Sequence, residues 1–161
     1  MHSRILVISQ NREYSDYIPT ADDIIDMADA QRAGMDYVSE SDFSLEEDEK
    51  AFSNETGIEI VDHAFELTEE NVVPYVTEEL EKIKGLASKV LDSSLEEFAE
   101  DSNSTFYNLG QELEKWSFGD MYLYDLDRDY LISAKGFLVE TLRYKDQPMK
   151  YYVIKSYNYH W

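Results

Sequence analysis

The chain reads as an α+β protein, with an antiparallel sheet made of a C-terminal meander plus N-terminal strands, packed with a central group of helices. Three observations predict this. A short β-branched apolar run opens the sequence, helical periodicity with capping signals fills the middle, and aromatic, alternating segments take over from Asp120 onward. No Gly/Pro/Ser-rich linker, internal repeat or low-complexity tract divides residues 1–161, so one acidic domain is expected.

Residues 4–9, Arg-Ile-Leu-Val-Ile-Ser, are apolar on both alternating faces and predict a central, two-sided buried strand. A helix follows: Thr20 is a suitable N-cap, Asp22 and Asp23 suit the N-terminal dipole, Ile24, Ile25, Met27 and Ala28 form the apolar stripe, and Gly34 terminates it. Residues 35–38 form a short strand. Ser44-Leu45-Glu46-Glu47 matches a capping box, with Leu45 and Phe52 as buried contacts, an acidic face toward water and Gly57 as the stop. Residues 58–65 alternate loosely and predict a strand.

The strongest helical pattern comes next. Val72, Val76, Leu80, Ile83, Ala87, Val90 and Leu91 keep three-to-four-residue spacing, with Asn71 as the cap and Pro74 in the first turn. Ser93-Ser94-Leu95-Glu96 is a second capping box. Glu96, Glu97, Glu100 and Asp101 would oppose a helix C-terminus, so the helix is expected to break at Asp92-Ser93 and a new one to start. A further helix carries Phe106, Leu109, Leu113 and Trp116. Strands are then predicted over residues 121–126, 130–134, 137–144 and 149–159, joined by Asp127-Arg128-Asp129, Lys135-Gly136 and Lys145-Asp146-Gln147-Pro148.

The dominant chemical property is charge. The formal net charge is −21, well beyond the roughly 2–8 that keeps a small domain soluble. Residues 21–100 hold 24 acids and five bases, whereas residues 131–161 hold two acids and five bases. Such self-repulsion calls for screening or for a partner that uses it. Lysine outnumbers arginine, and Ile, Tyr and Asn are abundant, which speaks against salt adaptation. There is no cysteine, so disulfides, thiolate nucleophiles and Cys-based metal sites are excluded. With no apolar run long enough to span a bilayer and no signal-peptide cleavage pattern, a soluble cytoplasmic protein is expected.

Catalytic constellations are sparse. No two of the six glycines fall in a phosphate-loop spacing. His63, beside Asp62, is the one histidine away from the termini and reads as structural. Asp125-Leu126-Asp127-Arg128-Asp129 has the opening of a calcium loop, but Tyr130 stands where Gly is needed and Gly136 where Glu is needed, so it reads as a polar turn. No enzyme activity, cofactor or metal is expected.

Two features point to a partner. Asp36, Glu40, Asp42, Glu46, Glu47, Asp48 and Glu49 are seven acids in fourteen residues without a base, and Glu96, Glu97, Glu100 and Asp101 form a second cluster. Carboxylates on successive helical turns offer arginine forks the same grip that phosphates do. Eight of the thirteen tyrosines lie in the last forty residues, and strand alternation puts Tyr151, Val153, Lys155, Tyr157 and Tyr159 on one face. Tyr157 and Tyr159 are therefore expected to contact a partner or a second copy of the chain, or, where helices cover one side, to shield a partly wet sheet.

In size, acidity and lack of cysteine, and in segments such as residues 44–49, the chain resembles the acidic inhibitors of phages and mobile elements, the anti-CRISPR and anti-restriction proteins that imitate DNA. The resemblance implies an inhibitor that blocks the DNA- or RNA-binding site of a CRISPR effector or restriction-type nuclease. The expected partner is then a basic nucleic-acid-binding protein, with no direct nucleic-acid or membrane binding and a possible homodimer. An immunity protein neutralising a basic toxin, and an enzyme or small-molecule-binding domain with incidental acidity, are the alternative readings.

Overall fold

The computed structural model describes residues 3–13, 17–31, 33–101, 105–117, 121–144 and 147–160, without the side chains of residues 98, 101 and 115–117. In chain order the elements are β1 (Ser3–Ser9), α1 (Ala21–Gln31), β2 (Tyr37–Glu40), α2 (Leu45–Thr56), β3 (Ala64–Leu67), α3 (Glu69–Asp92), α4 (Leu95–Asp101), α5 (Thr105–Ser117), β4 (Met121–Asp125), β5 (Tyr130–Ser133), α6 (Ala134–Thr141), a 3-10 turn (Leu142–Tyr144) and β6 (Met149–His160). The protein is α+β, as its sequence predicts.

The sheet runs β2-β6-β1-β4-β5, with β3 also paired to β6. All pairings are antiparallel except β1 with β4. Its two faces carry separate cores because β1 alternates apolar residues on both sides. Ile5 and Val7 pack with Ile24 and Ala28 of α1, Tyr122 and Tyr124 of β4, and Tyr157 and Tyr159 of β6. Leu6 and Ile8 pack on the other face with Phe52 of α2, Val72 and Val76 of α3, and Phe137 and Leu138 of α6. The two-sided burial expected for residues 4–9 is observed.

A bulge in β6 corrects the expected tyrosine face. Ile5 lies opposite Tyr157 and Val7 opposite Lys155, but Ile8 lies opposite Val153, so one extra residue of β6 sits between them. The extra residue reverses the alternation. Tyr151 and Val153 consequently enter the core under α2, α3 and α6, while Tyr157 and Tyr159 enter the core under α1. One sequence stripe thus serves two cores.

The four-strand C-terminal meander is also corrected. Residues 137–144 form α6 and the 3-10 turn. Ser133 caps α6, its Oγ accepting the Gly136 N–H at 3.1 Å. Phe137, Leu138 and Thr141 then lie buried on one side at helical spacing. Only β4 and β5 form a hairpin, and β6 crosses to the other side of β1.

Other elements shift by a few residues. The strand expected over 58–65 is β3, displaced beyond a turn at Asp62 and His63. The cap of α3 is Thr68, and Asn71 stands at its third helical position, where its Oδ1 accepts the Thr68 N–H. Pro74 is therefore inside the helix, past its first turn. The break after Asp92 occurs as expected, and its capping pair is Ser94 with Glu97, whose Oε2 accepts the Ser94 N–H at 2.8 Å. Among the described residues, no helix is long and apolar enough to cross a membrane.

Candidate acidic interface

Strand β2, at one edge of the sheet, is flanked by α1 on one face and α2 on the other, and all three neighbourhoods carry exposed carboxylates. Helix α1 buries Ile24 and Ala28, which turns Asp22, Asp26 and Asp29 outward on one stripe. It packs against β2, which ends on exposed Glu40 and is preceded by exposed Asp36. Past β2, Asp42 and the first turn of α2 add exposed Asp42, Glu46 and Glu47. Asp22 and Glu40 line one cleft of about 370 Å³ between the start of α1 and β2, together with Pro19, Lys155 and Tyr157.

Local hydrogen bonds fix this edge. The Ser44 N–H donates to Glu47 Oε2 at 3.0 Å and the Glu47 N–H to Ser44 Oγ at 3.3 Å, completing the expected capping box. Gly57, in the left-handed conformation that glycine tolerates best, ends α2 with its N–H on the Ser53 carbonyl. At the start of α1 the Asp23 carboxylate accepts from the Thr20 hydroxyl and N–H, which hold its carboxyl below the usual range along with a Tyr17 hydrogen bond. Two nearby cations are engaged: Lys155 Nζ lies 2.7 Å from Glu40 and Arg4 Nε lies 2.6 Å from Asp48. The Lys155 hydrogen bond keeps the Glu40 carboxyl low, so it remains ionised.

Of the sequence-predicted contacts, Asp36, Glu40, Asp42, Glu46 and Glu47 are exposed on this edge. Asp48 and Glu49 are not available to a partner. Asp48 is completely buried, accepting from Arg4 and from the Ser41 hydroxyl at 2.6 Å each, while Arg4 also lies over the Phe43 ring. Asn158 joins this cluster by donating to Asp42 at 3.2 Å. Glu49 points inward to His63 Nδ1 at 2.8 Å. Both residues follow the buried spacing Leu45, Asp48, Glu49, Phe52, Thr56, a signal already present in the sequence.

Tyr157 and Tyr159 are likewise removed from the surface, each 1% exposed. The Tyr157 hydroxyl donates to the Pro19 carbonyl, and the Tyr159 ring meets Tyr122 edge-on. Glu96, Glu97 and Glu100 are exposed on α4, and the Asp101 side chain lies outside the described residues. This second cluster follows the 24-residue α3, whose first half packs on the sheet. The two acidic clusters read from the sequence thus lie on separate elements.

Sequence reasoning missed the α1 aspartates and the setting of His63. Asp62 and His63 both adopt positive φ, 51° and 58°, in the tight turn between Val61 and Ala64. Asp and His enter this region more readily than most residues. A cleft of about 390 Å³ lies beside them, lined also by Glu46, Glu49 and Lys50. The Glu49 hydrogen bond and charge raise the His63 pKa above 6.5. Among the described residues no group of three potential ligands can hold a metal ion. Comparisons with protein-family models, curated proteins and solved structures find no match.

Proposed function

We propose that the protein is an inhibitor that imitates nucleic-acid charge and occupies the DNA- or RNA-binding site of a basic protein such as a CRISPR effector or restriction-type nuclease. The observation that carries this reading is the number of exposed carboxylates on and around β2: Asp22, Asp26 and Asp29 on α1, Asp36 just before β2 and Glu40 at its end, and Asp42, Glu46 and Glu47 beyond it. The helix rise sets the α1 aspartates about 4.5–6 Å apart along the axis. Each strand of duplex DNA carries a phosphate about every 3.4 Å of axis. Arginine forks recognise both anions by bidentate hydrogen bonds.

The expected outcome is competition with labelled duplex DNA for purified nucleases and CRISPR effectors, with no shift of DNA by the protein alone. The variant D22K/D26K/E40K/E46K changes exposed side chains and is expected to lose competition while keeping a cooperative unfolding transition. Competition by the folded variant equal to that of wild type, or tight DNA binding by the isolated protein, would overturn the proposal.

A further inference from the structure

The two most exposed large apolar side chains among the described residues lie at the junction of α3 and α4. The buried residues of α3 are Val72, Val76 and Glu79, all in its first half. Glu79 is the last anchor: Lys135 of α6 ion-pairs with it, and Lys82 Nζ lies 2.6 Å from its other oxygen. Beyond this point α3 packs against α5, with Ile83, Leu86 and Val90 half-buried. The second half of α3 and α5 thus form a helical arm outside the buried core clusters, tied to the sheet through α6.

At its α3–α4 junction, Leu91 is 83% and Leu95 82% exposed. The two leucines stand on either side of the Ser93–Ser94 break, at the end of α3 and the start of α4, and each buries little area in the fold and costs hydration free energy as it stands. Tyr107 and Leu113 of α5 are also exposed. The surrounding charge is predominantly negative: between Lys89 and Lys115, residues 90–114 contain seven acids and no base, with Asp92, Glu96, Glu97 and Glu100 flanking the two leucines in sequence.

We infer that the tip of this arm is a docking surface for a cationic amphipathic helix of another protein, which would set apolar side chains on Leu91 and Leu95 and lysines or arginines against the flanking acids. Apolar anchors ringed by charge are how helix-in-groove recognition combines affinity with orientation. Charge complementarity selects this occupant. A second copy would bring seven more acids against the same seven, and an anionic lipid surface would be repelled likewise. The inference rests on the arm alone and is independent of the β2 edge.

The test uses a synthetic Leu/Lys amphipathic helical peptide and a scrambled peptide of the same composition, titrated calorimetrically into the full chain. Wild type is expected to bind the amphipathic peptide at least about tenfold tighter than the scramble. L91S/L95S should lose that preference, and the single variants L91A and L95A should each reduce it, while the β2-edge variant E40K/E46K retains it. Equal affinity for both peptides, or a preference that survives in folded L91S/L95S, would overturn the inference. So would a wild-type dimer in sedimentation that L91S/L95S converts to monomer, or co-sedimentation with neutral phosphatidylcholine vesicles that the same variant abolishes, since these assign the face to a second copy or to lipid.

Discussion

Adjacent acids in α2 have opposite fates, and geometry decides which. Helical spacing from Leu45 and Phe52 carries Asp48 and Glu49 inward, while Glu46 and Glu47 point to water. Asp48 is tolerated inside because Arg4 and Ser41 satisfy both of its oxygens. Removing Asp48 leaves the Arg4 guanidinium, itself three-quarters covered, without its counter-charge. Asp48→Ala is expected to lower unfolding free energy by on the order of 3 kcal/mol. Glu46→Lys opposes the helix dipole at an exposed position and should shift the unfolding midpoint far less than Asp48→Ala. Urea denaturation of the two variants checks this, and equal midpoints would contradict the inward placement of Asp48. The composition of this stretch was legible as acidic, but counting acids without applying the helical period hid which ones are structural.

At the scale of elements, the sequence was informative wherever a local signal sufficed. The capping box at Ser44, the terminating Gly57, the break after Asp92 and the buried strand of residues 4–9 all follow from short-range chemistry, and all are present. Tertiary context decided the rest. The bulge in β6 arises only in register with β1, and without it the last strand's tyrosines sort to a single face. Residues 137–144 are apolar and β-prone, but Ser133 caps a helix there and Phe137 and Leu138 fill the core beside Leu6 and Ile8. The turn before β3 shows the same dependence: its two left-handed residues are held by Glu49 of α2, which reaches His63, and by the Val153 N–H of β6 on the His63 carbonyl at 2.7 Å. Because Glu49 raises the His63 pKa above its unfolded value, this tie contributes stability that is fully present below about pH 6.5 and is lost as pH rises through the folded pKa. Half-exposure of the imidazole makes that contribution small. An NMR titration should place the His63 midpoint above 6.5 in wild type and lower it in Glu49→Gln. An unchanged midpoint would remove Glu49 as the cause.

For the whole molecule, the charge of −21 acts on folding and on association through the same field but with opposite responses to salt. Self-repulsion among carboxylates at the β2 edge, along α3 and on α4 works against the compact state, and added salt screens it. The screening length falls from about 30 Å at 0.01 M to about 8 Å at physiological ionic strength. Unfolding midpoints are therefore expected to rise with sodium chloride over this range. Association with a cationic nuclease is expected to slow steeply over the same range, because attraction steers the encounter. The dissociation rate should respond less, being set by short-range contacts. Tyr157 and Tyr159 cannot supply those contacts, since both are core residues whose truncation would open a cavity under α1. The exposed leucines of the arm can, so L91S/L95S is expected to leave the salt dependence of association intact while speeding dissociation from any partner that also reaches the arm. Stopped-flow association at low and high salt, set beside unfolding midpoints in the same buffers, separates the two effects: a flat association rate together with a rising midpoint would mean that the charge matters to this fold alone and that the β2 edge is not a nucleic-acid mimic.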